Sequence, residues 1–224
     1  MIILKRKECD EYWMSLSDMM AGLMMIFLLI AVLFVHNIQS KAKDLDQIEK
    51  SICSQLSDKF KNEKLEWKMS ICEDGLLVSF ENDSVFDKGE SNLKEEFKTI
   101  LAYFIPQFME IVMQNKEDIS ELRIEGHTSS EFFNENEEKS YIFNTKLSQD
   151  RSFNVLQYTF NIITQPNQTK WLTKHLTANG LSSSKLFIDE DGVEDKVKSR
   201  RVDFRVQTTA TENLLNALKD NNND

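Results

Sequence analysis

Residues 13 to 35, WMSLSDMMAGLMMIFLLIAVLFV, form a run of twenty-three in which Asp18 is the only charged residue. No other stretch limits the fold so strongly. A helix of that length rises about 35 Å at about 1.5 Å per residue, enough to cross a hydrocarbon core about 30 Å thick. Counted only from Met19, the seventeen uncharged residues would reach about 25 Å and fall short. The span therefore begins at Trp13, with Tyr12 and Trp13 in the interfacial position that amphipathic aromatics favour, and Asp18 lies one to two turns inside. Lys5, Arg6 and Lys7 precede the run, whereas Lys41 and Lys43 beyond it are offset by Asp44 and Asp46. Basic residues mark the cytoplasmic side, so residues 1–12 are a short cytoplasmic N-terminus, 13–35 a single transmembrane helix, and everything after His36 is outside. A cleavable signal peptide also starts with basic residues, but its apolar region is shorter and ends in a small-residue cleavage site, and VHNIQSKAKD offers none.

Asp18 admits two readings. As a boundary residue it keeps its carboxylate among the headgroups through a small shift or tilt of the helix. As an ion carrier it faces a protein interior or a water path. Holding a charge at a helix centre costs about 2.5–3.5 kcal/mol on insertion scales, so acids that persist there usually take part in transport. One carboxylate per helix is enough to accept a proton or a sodium ion from one side and release it to the other. No cofactor is expected beyond that translocated ion.

A chain of 224 residues, less this anchor, leaves room for a stalk and one globular domain. The formal net charge of −10 argues against nucleic acid, whose phosphates call for a basic stripe. Of the three cysteines, Cys9 falls in the reducing cytoplasm, while Cys53 and Cys72 share a compartment where a disulfide persists. They can pair within one chain or between two. No C-x-x-C motif or histidine cluster suggests a metal site, and no nucleophile with an orienting base suggests an enzyme.

Val35, Ile38, Ala42, Leu45, Glu49, Ile52 and Leu56 alternate at spacings of three and four. Such a seam describes either a parallel coiled-coil or plug stalk over residues 36–70, or one amphipathic helix lying on its own domain. If the seam joins two chains, two copies of Asp18 come side by side in a homodimer. Beyond it, GLLVSF, ELRIEGH and RRVDFRV read as strands. NLKEEFKTILAYFIPQFMEIVMQ places Leu93, Phe97, Ile100, Leu101, Phe104, Phe108, Ile111 and Val112 on one helical face, with a kink expected at Pro106. Further helices are predicted over 146–163 and over 168–178, the latter stopped by Asn179 and Gly180. Residues 71–210 thus form an α+β domain, a mixed sheet with helices on one face. Residues 211–224 are a tail, predicted as a short helix that frays.

Four segments, SVFDKGESNLKEEF, LRIEGHTSS, NTKLSQDRSFNVL and SRRVDFRV, occur in the order of the signatures of the OmpA-like peptidoglycan-binding domain, which residues 71–210 resemble. The resemblance implies a site for the diaminopimelate of a cell-wall stem peptide. Arg151 would clamp a carboxylate as a bidentate donor, Asn144 and Thr128 would add directional hydrogen bonds, and Leu147 would pack the site. Arg201 would either bind ligand or support the site from the last strand. The family reads GHTD where this chain reads GHTSS, so Ser129 replaces an aspartate, and Glu131 in the same loop is a candidate substitute. His127 reads as a structural residue.

The start of the span, W-M-S-L-S-D-M-M-A-G-L-M, resembles that of the B subunits of ion-driven stators, the MotB/ZorB family, through Trp13, Asp18, Met20 and Met24. The short cytoplasmic start and the GHTS sequence lean toward the ZorB branch, which serves anti-phage defence in the Zorya system. In that family a B dimer sits inside a pentameric ring of A subunits (ZorA/MotA-like) in the inner membrane, and its periplasmic domains hold the wall. The resemblance implies Asp18 as the ion site and peptidoglycan as the anchor. The alternatives are a flagellar MotB-like subunit and a passive tether between membrane and wall.

Overall fold

The computed structural model describes residues 3–131 and 136–212. The predicted tail from residue 213 onward and positions 132–135 of the loop after Ser129 lie outside the described residues. The chain divides into two units, Met1–Asp44 and Leu45–Asp224. The first is the N-terminal part of helix α1 (Ile3–Lys59). Its apolar side chains from Leu16 to Val35 are exposed all round, and it is the one described helix long and apolar enough to cross a membrane. Asp18 is exposed on this helix.

The second unit begins with the rest of α1. Ile52, Leu56 and Phe60 recur every four residues and are buried in the domain core. This half of the seam therefore lies on its own domain. The unit continues with β1 (Met69–Ile71), β2 (Leu77–Glu81), the short α2 (Asn82–Val85), α3 (Glu95–Gln114), β3 (Ile119–His127), α4 (Glu137–Ile162), α5 (Pro166–His175), β4 (Leu176–Gly180), the short α6 (Lys196–Ser199) and β5 (Arg201–Thr208). The sheet order is β1-β2-β5-β3-β4, antiparallel except for the parallel pair β3 and β4.

Alternation on the central strand β5 sets the two faces. Val202, Phe204 and Val206 enter the core with Val78, Phe80, Leu122 and Ile124 of the neighbouring strands. α3 covers that face with Phe97, Leu101, Phe104 and Phe108, and it runs on through Pro106. The Phe104 ring centroid lies 5.0 Å from that of Phe60 and 5.2 Å from those of Phe80, Phe108 and Phe204. Offset and edge-on aromatic contacts of this kind add about 0.5–1.5 kcal/mol per pair beyond simple burial.

The opposite face of the sheet is a ladder of charges. Asp203 accepts from Ser79 Oγ at 2.6 Å and from Arg201 Nε at 3.0 Å. Arg205 Nε donates to Glu125 at 2.9 Å, and Arg123 donates through two nitrogens to Glu121. Cys53 on α1 and Cys72 after β1 form a disulfide within the chain, with a Cα–Cα distance of 6.1 Å.

Two elements differ from the sequence expectation. The helix predicted over 168–178 spans only Pro166–His175, and Leu176–Gly180 is a strand. Leu176 to Gly180 pair residue for residue with Leu122 to Gly126, so the sheet edge takes up backbone groups that a longer helix would have used. α4 starts at Glu137, nine residues before the predicted Lys146. Asn136 caps it, its side-chain oxygen accepting from the Lys139 amide at 2.9 Å, and Glu137 and Glu138 occupy the first turn. Both features stabilise a helix N-terminus.

Candidate functional site

A cavity of about 700 Å³ opens where α2, the end of β3, α4 and the start of β5 meet. Each wall has a local cause. The segment at α2 is fixed because the Asn82 amide donates to the Arg200 carbonyl at 3.0 Å and Lys94 Nζ donates to the Asp83 carbonyl at 2.8 Å. The Thr128 amide donates to the Ser182 carbonyl at 2.9 Å, which sets the loop leaving β3. α4 turns Asn144, Ser148, Arg151, Ser152, Val155 and Thr159 inward, a buried stripe that is mostly polar.

Thr128, Ser129, Asn144, Leu147 and Arg151 all line this cavity. Arg151 is only 3% exposed. Its Nε donates to the Glu90 carbonyl at 2.9 Å, and its guanidinium lies over the Phe86 ring at 5.0 Å. Among the described residues no carboxylate comes within ion-pair distance of it. Burial, and then the nearby charge of Arg200, pull its pKa down to about 10, with Asp83 acting in the opposite sense. It therefore stays charged at neutral pH.

Two more buried groups in the same cavity, Thr128 Oγ1 and Asn82 Oδ1, have no hydrogen-bond partner among the described residues. An unsatisfied buried polar atom costs about 1–3 kcal/mol. These two groups and the charge of Arg151, which no described carboxylate meets, surround one opening and fit a polar, carboxylate-bearing ligand. Asn144 Nδ2 donates to the Ser129 carbonyl at 3.4 Å, so Asn144 also shapes the loop.

Arg201 is placed elsewhere. Its Nε binds Asp203, its Nη1 donates to the carbonyls of Lys185 and Ser199, and its guanidinium stacks 4.8 Å from the Phe187 ring centroid. It borders a different cavity of about 500 Å³. Arg200 lines the site instead. Successive residues of an extended chain face opposite sides, so in the pair RR the first arginine reaches the site and the second supports the sheet. Glu131 lines the cavity too, but Lys196 Nζ lies 2.8 Å and Arg200 Nη1 3.4 Å from its carboxylate. The hydrogen bond from Lys196 holds its carboxyl below the usual range.

His127 is 1% exposed, and its Nε2 sits 3.2 Å from Asp203 Oδ2 and 3.8 Å from Glu125 Oε2, with its N–H aligned on neither. Glu125, His127 and Asp203 are the one described group close enough to hold a cation. Arg201 and Arg205 already occupy the two carboxylates, so the arrangement is a buried charge network beneath the site.

The sequence reading missed Asn82, Asp83 and Arg200. Only the position of Arg200 beside Arg201 offered a signal.

A helix long and apolar enough to cross a membrane, followed by this mixed sheet and its helices, places the chain in a structural class, proteins with a MotB-like domain behind an apolar N-terminal helix. A solved MotB-like protein from Desulfovibrio vulgaris aligns over 74% of this chain and 94% of its own at 17% identity, with a TM-score of 0.51. The cell wall anchor of the T6SS from Pseudomonas aeruginosa aligns over 68% of this chain and 96% of its own at 17% identity, with a TM-score of 0.47. No family model matches the chain. The Zorya protein ZorB of Escherichia coli is 34% identical over 215 residues, which is 92% of each chain. The chain belongs to the ZorB family.

Proposed function

We propose that this chain is the membrane-anchored B subunit of an ion-driven stator that holds its complex to peptidoglycan and serves anti-phage defence. The observation that carries the wall-binding half is Arg151, a buried guanidinium with no carboxylate partner among the described residues, in a cavity with two unpartnered polar groups, Asn82 Oδ1 and Thr128 Oγ1. A stem-peptide carboxylate supplies the missing partner, and a bidentate pair with arginine gives both strength and orientation. The membrane half rests on Asp18 in its uncharged run. An acid in such a place is a candidate for ion passage.

In this reading two chains pair as a homodimer inside a pentameric A-subunit ring in the inner membrane. The N-terminus is cytoplasmic and residues after His36 are periplasmic. An ion, a proton or sodium, passes Asp18 between the A and B subunits, and the wall-bound domains give the resulting motion something to act against. The chain performs no chemical step of its own.

The test is phage plating on cells carrying the native operon, comparing wild type with Asp18→Asn at matched membrane expression. Lost protection supports the stator reading, with partial retention expected for Asp18→Glu. Full protection by Asp18→Asn would reduce the chain to a passive wall tether.

A further inference from the structure

Three acids line the cavity, Asp83, Asp87 and Glu131, and they differ in how far their charge is already used. Glu131 has two cations on it, one at 2.8 Å. Asp87 is 77% exposed at its side chain and pairs with Lys94 at 3.3 Å, so it stands largely in water. Asp83 is 56% exposed at its side chain, less than Asp87, and has one loose partner, Arg200 at 3.7 Å. Its backbone is held at the Lys94 ammonium, and the preceding residue is held at the Arg200 carbonyl, so the carboxylate projects from a fixed segment.

Asp83 and Arg151 share the cavity without touching, since no ion pair joins them within 4 Å. They are nevertheless near enough for the charge of Asp83 to act on Arg151. A separated cation and anion in one cavity form the complement of a zwitterion. An α-amino acid centre carries its carboxylate and its ammonium on one carbon, so both charges can be met at once.

We propose that Asp83 receives the ammonium of the ligand while Arg151 takes its carboxylate, which makes the preferred ligand an amino-acid centre with a free amine, such as the diamino acid of a stem peptide. The proposal rests on the wall-binding reading above. Arg200 gives up a loose contact on ligand entry and keeps Glu131. Ser129, 4% exposed, is left a packing role in the loop.

The test uses the full chain purified in detergent and co-sedimented with diaminopimelate-type sacculi, either native or treated with acetic anhydride so that free amines become amides. Wild type is expected to bind native sacculi roughly tenfold more tightly than acetylated ones, the scale of one lost charge-assisted contact. Asp83→Asn is expected to lose that discrimination, and Glu131→Gln to keep it. If Asp83→Asn still discriminates, the assignment to Asp83 is wrong. If wild type ignores acetylation while Arg151→Ala abolishes sedimentation, the ammonium contact falls and the wall-binding reading stands. If wild type does not sediment with sacculi at all, both fall together.

Discussion

Gly126 and Gly180 are register partners across the parallel pair β3 and β4, and both lie against the backbone of α4 at one point. A Cβ on Gly126 would sit 2.3 Å from the Ser148 carbonyl oxygen, and one on Gly180 would sit 2.3 Å from the Gln149 amide nitrogen. Neither backbone group can yield without moving the helix that carries Asn144, Leu147 and Arg151. Gly126→Ala and Gly180→Ala are each expected to cost about 3 kcal/mol, the upper end for overpacking. Thermal melts of the two variants check this, and a loss below about 0.5 kcal/mol would count against the close approach.

Arg151 serves the site at the expense of the fold. Among the described residues it has no carboxylate partner, and a buried guanidinium so placed is a net burden on stability. Arg151→Met is therefore expected to stabilise the globular unit by about 1 kcal/mol while abolishing sedimentation with sacculi. Chemical denaturation and co-sedimentation of the same preparation measure the two effects.

The charge network beneath the site predicts the acid response. Burial works to raise Asp203 and Glu125, but nearby His127, with Arg201 and Ser79 at Asp203 and Arg205 at Glu125, outweighs it and holds both carboxyls below their ordinary values. The stability these groups contribute is complete above the unfolded carboxylate range, about pH 4, and is lost as pH falls through the lower native values. The melting temperature is expected to be flat from pH 7 to 5 and to fall below pH 4. Asp203→Asn is expected to lower it at pH 7 and to flatten the acid limb.

The disulfide closes a loop with a sequence separation of 19. Chain-entropy reasoning gives a stabilisation of about 3 kcal/mol for a loop of that order. Denaturation with and without reductant should differ by that amount in wild type and not at all in a Cys53→Ser, Cys72→Ser double variant.

The parts of the fold legible in the sequence are those whose buried residues are apolar and periodic. α3 and the strands β2, β3 and β5 all show this, since Phe97, Leu101, Phe104 and Phe108 or Val202, Phe204 and Val206 announce their faces; the span is legible from its unbroken apolar length instead. α4 was legible only from residue 146 because its buried stripe is made of Asn144, Ser148, Arg151, Ser152 and Thr159 around Val155, which a search for apolar period passes over. β4 was illegible because LTANG ends in a plausible helix stop, and only pairing with β3 makes it a strand. The seam from Val35 to Leu56 could not show whether its occupant was a second chain or its own domain. From Ile52 onward it is the domain.

Five of the six site residues named from sequence meet in one cavity. The sixth, Arg201, differs from the residue that does so by one position, which an extended chain converts into the other side. Asn82 and Asp83 come from a segment remote in sequence from Thr128 and Arg151, and only the fold brings them together.

Helix α1 is continuous from Ile3 to Lys59, so a force that lifts its last turns off the core acts on the globular unit as a peeling load. Peeling starts at Leu45, where the globular unit begins, and would unzip Ile48 and Ile52 from the core one turn at a time. The covalent link at Cys53 halts it after about two turns. Beyond that point the load crosses to Cys72 and passes into the sheet through β1. The disulfide thus works like a rivet at the end of a seam, capping how far the tether can lengthen before the sheet itself must yield.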